Sequence, residues 1–264
     1  MDCLTHRDDL ICPVIITEGK SCKRQLSPWR GHVSVTLDLL EEHLTMLLGY
    51  GLRNILLLGI PASRDPTGSR SLRDDILVPA AIQYIRERAL ELHIISDINI
   101  CQYTTHGHCG IIVNNTIDND ASIEIFLKQA QLHIAAGVDE LMPSAMCDGL
   151  VYNLKTLLSE LKRTQIRVMS QAAKFASSLY GPAQREFFAE NILAGGHLSK
   201  ASYQLDPASP RHALRKVLSE QAEGADSLVL KPTLGYLDLL PVLRNNCSIP
   251  VSTFITSGEH MLLA

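Results

Sequence analysis

Two lysines stand at the ends of short apolar runs, one in Ser170-Gln-Ala-Ala-Lys174-Phe-Ala and one in Leu228-Val-Leu-Lys231-Pro. Lysine is ordinarily a surface residue, and burying its ammonium without a partner is costly. A desolvated lysine beside a second cation releases its proton more readily, and only the neutral amine attacks a ketone to form a Schiff base. The competing reading is a lysine at a strand end that carries its ammonium out to water. The elements around the two lysines have to decide between them.

Those elements alternate. Apolar β-type runs are expected at 9–18, 54–60, 93–100, 139–143, 167–173, 227–231 and 250–255. Helical spacing fills most of the intervals, at 36–49, 76–92, 121–136, 152–163, 211–223 and near 236–244. Gly49, Gly137 and Gly224 mark the ends of three of these helices. The stretches 20–31, 62–73, 101–118 and 175–210 read as loops. The strands are apolar on both faces, as in a parallel sheet covered on each side. Seven strands in strict βα alternation over this length favour an α/β fold of the TIM (β/α) barrel kind, in a single domain over 1–264 with a short arm at about 1–9. In such barrels the chemistry sits at the C-terminal ends of the strands, where both lysines, Asp97, the His106 loop and Ser144 fall.

Composition removes several function classes. The chain has 264 residues, 46% hydrophobic and 20% charged, with net charge −4 and a pI of about 6.2. There is no basic stripe to suit nucleic acid or an anionic membrane. No apolar run reaches the length of a membrane span. The polar, acidic start does not fit a secretory or transit peptide, and seven cysteines without framework spacing suit a reducing compartment. A cytoplasmic location is expected.

Several longer motifs then fall in one order. They are Ser96-Asp-Ile-Asn-Ile-Cys-Gln-Tyr-Thr-Thr-His-Gly-His-Cys-Gly110, Pro143-Ser-Ala-Met-Cys-Asp-Gly149, Ala173-Lys-Phe-Ala-Ser-Ser-Leu-Tyr-Gly-Pro182, Tyr203-Gln-Leu-Asp-Pro207, Leu230-Lys-Pro232 and Ser257-Gly-Glu259. The set resembles the porphobilinogen synthase (5-aminolevulinate dehydratase) family, from about Leu10 to the C-terminus. The resemblance implies a TIM barrel that condenses two 5-aminolevulinate molecules into porphobilinogen in tetrapyrrole (heme) biosynthesis. It implies that Lys231 and Lys174 are the two Schiff-base lysines, for the first-bound and second-bound substrate, and that Asp97 is an active-site aspartate. Ser144, Tyr180, Lys200, Gln204 and Ser257 match substrate-binding positions. A homo-oligomer is implied as well.

The resemblance makes Cys101 and Cys109 a candidate zinc site. Zinc-dependent members place three cysteines here, whereas this chain reads Asn99, Cys101 and Cys109. Two thiolates and an amide make a poor tetrahedral set for a borderline-soft ion, and other members need no metal at these positions. The alternative is a pair of free cysteines at the pocket mouth.

Four departures stand against the family pattern. Ala183-Gln184 replaces a Phe-Arg pair whose arginine binds a substrate carboxylate, and Arg185 is one place late. Ala145 replaces an aspartate. Phe254 replaces a tyrosine. The sequence stops at Ala264, where the seventh helix is expected to begin, so the final βα unit and a further tyrosine lie beyond it and a seven-stranded barrel has two open edges. Two other readings therefore stay open: a non-catalytic paralogue that binds a partner, and an enzyme for a related amine–ketone reaction.

Overall fold

The computed structural model describes residues 6–26, 31–181 and 198–263. Its strands are β1 (Ile11–Thr17), β2 (Lys23–Gln25), β3 (Val33–Val35), β4 (Asn54–Ile60), β5 (His93–Ile98), β6 (Ile111–Val113), β7 (Thr116–Asp118), β8 (Glu140–Pro143), β9 (Arg167–Lys174), β10 (Ser227–Lys231) and β11 (Val251–Thr253). The helices are α1 (Leu37–Gly49), α2 (Leu77–Glu87), α3 (Asn119–Ala136), α4 (Leu150–Glu160), α5 (Pro210–Ala222), α6 (Leu239–Asn246) and α7 (Ser257–Leu263). Seven parallel strands run in the order β11-β10-β9-β8-β5-β4-β1. This is the expected βα alternation, and each of the seven expected strands is present.

Alternation along each strand builds two cores. Val14, Ile16, Ile55, Leu57, Ile94, Leu141, Val168, Leu228 and Leu230 pack outward against the helices. Their neighbours Leu56, Ile95, Met142, Met169 and Val229 pack together on the inner face and form a floor inside the barrel. Successive side chains of a strand point to opposite faces, so each strand supplies both layers.

Two regions read as loops contain strands. Within 20–31, Lys23–Gln25 pairs antiparallel with β3, and β3 pairs parallel with β1 through Ile15 and Ser34. Leu26 is fully buried there beside Ile15 and Ile60. The edge of β1 is therefore covered by a ribbon rather than open. Polar residues such as Lys23, Arg24 and Gln25 hide this from a hydrophobicity reading, because all three are exposed. Within 101–118, β6 and β7 form a hairpin around Asn114-Asn115, whose φ angles are 49° and 64°. A two-residue turn with both φ values positive is the geometry asparagine accepts best after glycine.

Candidate active site

The inner floor sets the layer above it. Two residues beyond Leu56, Ile95, Met142, Met169 and Val229 stand Leu58, Asp97, Ser144, Gln171 and Lys231, and all five line one cavity at the C-terminal end of the barrel. Period-two alternation alone carries these side chains inward. Lys174 does not share that parity with Gln171, yet it lines the same cavity. A β-bulge reconciles them: Leu228 faces Ser170 and Leu230 faces Ala173, so β9 spends three steps where β10 spends two. Past the bulge, Lys174 and Lys231 lie directly in register on adjacent strands.

The two lysines have different surroundings. Lys174 is buried and donates to the Ser144 carbonyl at 2.5 Å. The Lys231 ammonium sits 3.5 Å from the centre of the Phe254 ring and 5.8 Å from that of Tyr180. Its pKa is lowered to about 7, first by burial and then by the charge of Lys174. Lys231 is therefore a substantially neutral amine at physiological pH, poised as a nucleophile.

Asp97 is buried between these groups. It accepts hydrogen bonds from Gln102 Nε2 at 3.1 Å and from the Ser144 hydroxyl. Its pKa is nevertheless raised, because burial outweighs those bonds and the nearby lysines. Asn99 donates to Ser144 Oγ at 2.7 Å and completes the chain of polar contacts across β5 and β8.

The roof comes from distant sequence. Leu205 donates its backbone N–H to the Lys174 carbonyl, and Ala176 donates to that of Leu205, so the segment around Tyr203-Gln-Leu-Asp-Pro207 is tied to the top of β9. This brings Lys200 and Gln204 to the cavity wall. The Lys200 ammonium lies 3.8 Å from Cys109 Sγ. Burial opposes its charge, but the two thiol sites favour it, and its pKa ends above the ordinary lysine value. Tyr180 lines the cavity while its hydroxyl is shared between the carbonyls of Phe175 at 2.8 Å and Lys231 at 3.2 Å. Ser257, at the start of α7, completes the wall.

Two residues not singled out for a role fix that wall. Glu259 is fully buried and accepts from the backbone N–H groups of Thr233, Leu234 and Thr256. It thereby clamps the end of β10 to α7. Gly258 lies so close to Leu179 that a Cβ would stand 2.7 Å from its carbonyl oxygen. The Ser-Gly-Glu motif was visible in the sequence; its clamping role requires the contact. Gln102 and Gln171 were also missed as lining residues. For Gln171 the signal was available in the alternation Met169, Gln171, had the inner face of β9 been known.

All ten residues marked by the sequence meet at this one cavity: Lys231, Lys174, Asp97, Ser144, Tyr180, Lys200, Gln204, Ser257, Cys101 and Cys109. Phe254 lines it as well. Ala183, Gln184 and Arg185, the site of the altered carboxylate-binding pair, lie outside the described residues.

The thiols test the zinc expectation. Cys101 and Cys109 are buried and face each other, with Cys101 Sγ also 3.3 Å from Gln102 Oε1. The hydrogen bond between them, foremost, raises the Cys101 pKa well above the thiol value and lowers that of Cys109 well below it, with Lys200 helping at Cys109. Asn99 Oδ1 accepts from the backbone N–H of Cys101 at 3.0 Å, which turns its Nδ2 toward Cys109 Sγ at 3.7 Å. The third position thus offers the thiols an N–H donor and no lone pair. Among the described residues, no group of three or more His, Cys, Asp or Glu is placed to hold a metal. Two thiols with a lysine ammonium and an amide N–H beside them do not fit a tetrahedral zinc site.

With this geometry in place, relatives can be set beside it. The profile of the family described as delta-aminolevulinic acid dehydratase matches residues 2–264. The chain belongs to the delta-aminolevulinic acid dehydratase family. It is 34% identical over 258 residues to the delta-aminolevulinic acid dehydratase of Halalkalibacterium halodurans, covering 98% of this chain and 77% of the relative. The dehydratase of Helicobacter pylori is 36% identical over 257 residues, covering 97% of this chain and 78% of that protein. Among solved structures, the enzyme of Toxoplasma gondii in complex with its reaction product porphobilinogen superimposes with a TM-score of 0.90 at 28% identity, over 98% of this chain and 74% of that one. The (β/α) barrel is thus the family's own fold, here in a chain shorter than these relatives.

Proposed function

We propose that this dehydratase-family chain condenses two molecules of 5-aminolevulinate to porphobilinogen, with loss of two molecules of water, as a hydro-lyase using Lys231 and Lys174 as Schiff-base amines. The observation that carries this is the in-register pairing of the two lysines inside one cavity beside Asp97. Lys231 attacks the first ketone. Its lowered pKa supplies the neutral amine, and the imine forms as water leaves. Lys174, held at the Ser144 carbonyl, engages the second ketone. Asp97, its pKa raised by burial, lines the cavity with both lysines and is assigned to proton transfer between the two substrates. Ser144, Tyr180, Gln204 and Ser257 shape and line the pocket, and the Lys200 ammonium and the Ser257 hydroxyl are assigned to substrate carboxylates. For Lys200, that role competes with its contact to Cys109.

No step of this reading passes through zinc at Cys101 and Cys109, because their surroundings do not suit the ion. A homo-oligomer in the cytoplasm belongs to the same reading. The free thiols of Cys12, Cys22, Cys101, Cys109, Cys147 and Cys247 are in keeping with a reducing compartment. Among the described residues no helix is long and apolar enough to cross a membrane.

The test is covalent trapping. The protein is incubated with 5-aminolevulinate, reduced with borohydride and digested for mass spectrometry. A reduced adduct on Lys231 is expected. Folded protein that carries no adduct on either lysine would overturn the reading, and an adduct without pyrrole formation would shift it to a related amine–ketone reaction.

A further inference from the structure

We propose that Gln102 is a positioning residue for the condensation: its side-chain amide holds the Asp97 carboxyl group in place for proton transfer. The proposal rests on the Schiff-base reading above and on the role given there to Asp97. Gln102 is buried and lines the same cavity as Asp97, Lys174 and Lys231. Its Nε2 donates to Asp97 Oδ2 at 3.1 Å, and its Oε1 lies 3.3 Å from Cys101 Sγ. Cys101 is held as the neutral thiol, so a weak donor faces the amide oxygen. With the amide turned over, two acceptor oxygens would face each other at Asp97, so these contacts fix one orientation. Nitrogen and oxygen are both engaged with protein, and Gln102 acts through Asp97.

The backbone of Gln102 is fixed in turn by the loop after β4. Its carbonyl accepts from Arg64 Nε at 2.9 Å. Next to it, the Asp65 N–H donates to the Tyr103 carbonyl at 3.3 Å, and the Asp65 carbonyl accepts from the Thr105 N–H at 3.1 Å. The stretch 62–73, which the lysine chemistry leaves without a role, thereby braces the turn after β5. Asp97 has two tethers from different elements, Ser144 after β8 and Gln102 after β5. Ser144 Oγ is divided between Asp97 and the Asn99 amide.

A carboxyl group rotates about its Cβ–Cγ bond, and it relays a proton only within hydrogen-bond reach of the groups it serves. Without the Gln102 amide, Asp97 is left on Ser144. The change also removes a donor that favours the carboxylate, so Asp97 takes up a proton more readily. Adduct formation at Lys231 does not share this dependence. It needs the neutral lysine, and the charge of Asp97 works against that form.

Two readouts make the test, in the wild type, Gln102→Met and Gln102→Leu. The first compares the rate of pyrrole formation at saturating 5-aminolevulinate with the rate of reduced adduct on Lys231. Pyrrole formation is expected to fall about tenfold in the variants, as for loss of one good hydrogen bond, while adduct formation stays within about twofold. The second follows the Asp97 carboxyl carbon by NMR in protein labelled with carbon-13 aspartate, the signal being assigned by its absence in Asp97→Asn. Its midpoint is expected to move up by about one pH unit. Unchanged pyrrole formation, equal losses in both rates, or an Asp97 midpoint that stays in place would each mean that Gln102 only fills space, and would overturn the proposal while leaving the lysine reading intact. Arg64→Met, which keeps the amide and frees its backbone, must move both readouts in the same directions if the Gln102 variants disturb the fold. A wild type that traps no adduct would instead overturn the Schiff-base reading, and the Asp97 titration would still decide whether Gln102 holds the carboxyl group.

Discussion

Replacing Lys174 by methionine leaves an unbranched side chain one atom shorter and removes its charge, and the effect should be read at the other lysine. Lys231 has a pKa of about 7 against an ordinary 10.5, with burial as the first cause and Lys174 as the second. Neighbouring strands lie about 5 Å apart, which sets the order of magnitude of the separation between two side chains that leave them in register. Two unit charges at about 5 Å in a medium of dielectric constant about 20 repel by about 3 kcal/mol. That corresponds to about 2 pH units. Only the neutral amine attacks, so the rate of adduct formation on Lys231 rises with pH and levels off above the pKa. In the wild type the midpoint is expected near pH 7. In Lys174→Met it should move up to near pH 9, staying below the ordinary lysine value because burial remains. At pH 7 trapping then slows roughly fiftyfold, as the neutral fraction falls from about half to about one in a hundred. The assay is the initial rate of reduced adduct on Lys231 across pH 5.5 to 10.5, by mass spectrometry. A midpoint that stays at 7 or falls would refute the idea that Lys174 holds Lys231 neutral.

Further outcomes follow from other contacts. The Phe254 ring faces the Lys231 ammonium at 3.5 Å and favours its charged form, so Phe254→Leu should lower the same midpoint by about half a unit to one unit, in line with a cation–π contact of about 1 kcal/mol; an upward shift would contradict this. Gly258→Ala sets a Cβ against the Leu179 backbone and should cost about 1–3 kcal/mol in denaturant unfolding, with a parallel loss of turnover because Tyr180 is displaced; wild-type stability would show that the two segments are not packed as described. Dialysis against a zinc chelator should leave turnover and fold unchanged, checked with metal content by mass spectrometry. Loss of activity that zinc alone restores would show that Cys101 and Cys109 hold an ion after all.

The scaffold was legible because its signal is local. β4 and β10 were bounded correctly from continuous apolar runs, and six of the seven helices were found from their spacing and terminal glycines; α7 was not, because the seventh helix was expected to begin only at Ala264, whereas it occupies Ser257–Leu263. The ribbon of β2 and β3 was not, since its first strand is exposed and charged and exists only through pairing with β3 and β1. The site divides the same way. Asp97, Ser144 and Lys231 follow from strand parity once the inner face is known. Lys174 reaches the cavity only through the bulge in β9, and nothing in Gln171-Ala-Ala marks a bulge in advance. Its position at a C-terminal strand end was read from the pattern, whereas its role beside Lys231 was implied by the resemblance. Lys200 and Gln204 arrive from 26 and 30 positions down the chain by a bridge between Phe175 and Leu205, a contact that no local propensity encodes. The direction of the Asn99 amide, which decides against zinc, depends on one backbone N–H and could not be read from composition.

The claim on which everything else depends is that this cavity joins two 5-aminolevulinate molecules through its lysines. Carbon-13-labelled 5-aminolevulinate, followed by NMR with stoichiometric protein, measures this directly. The wild type is expected to yield the labelled pyrrole porphobilinogen, and Lys231→Met, correctly folded, is expected to yield none. Folded wild type that leaves the substrate unchanged, or a Lys231→Met variant that still makes the pyrrole, would contradict it.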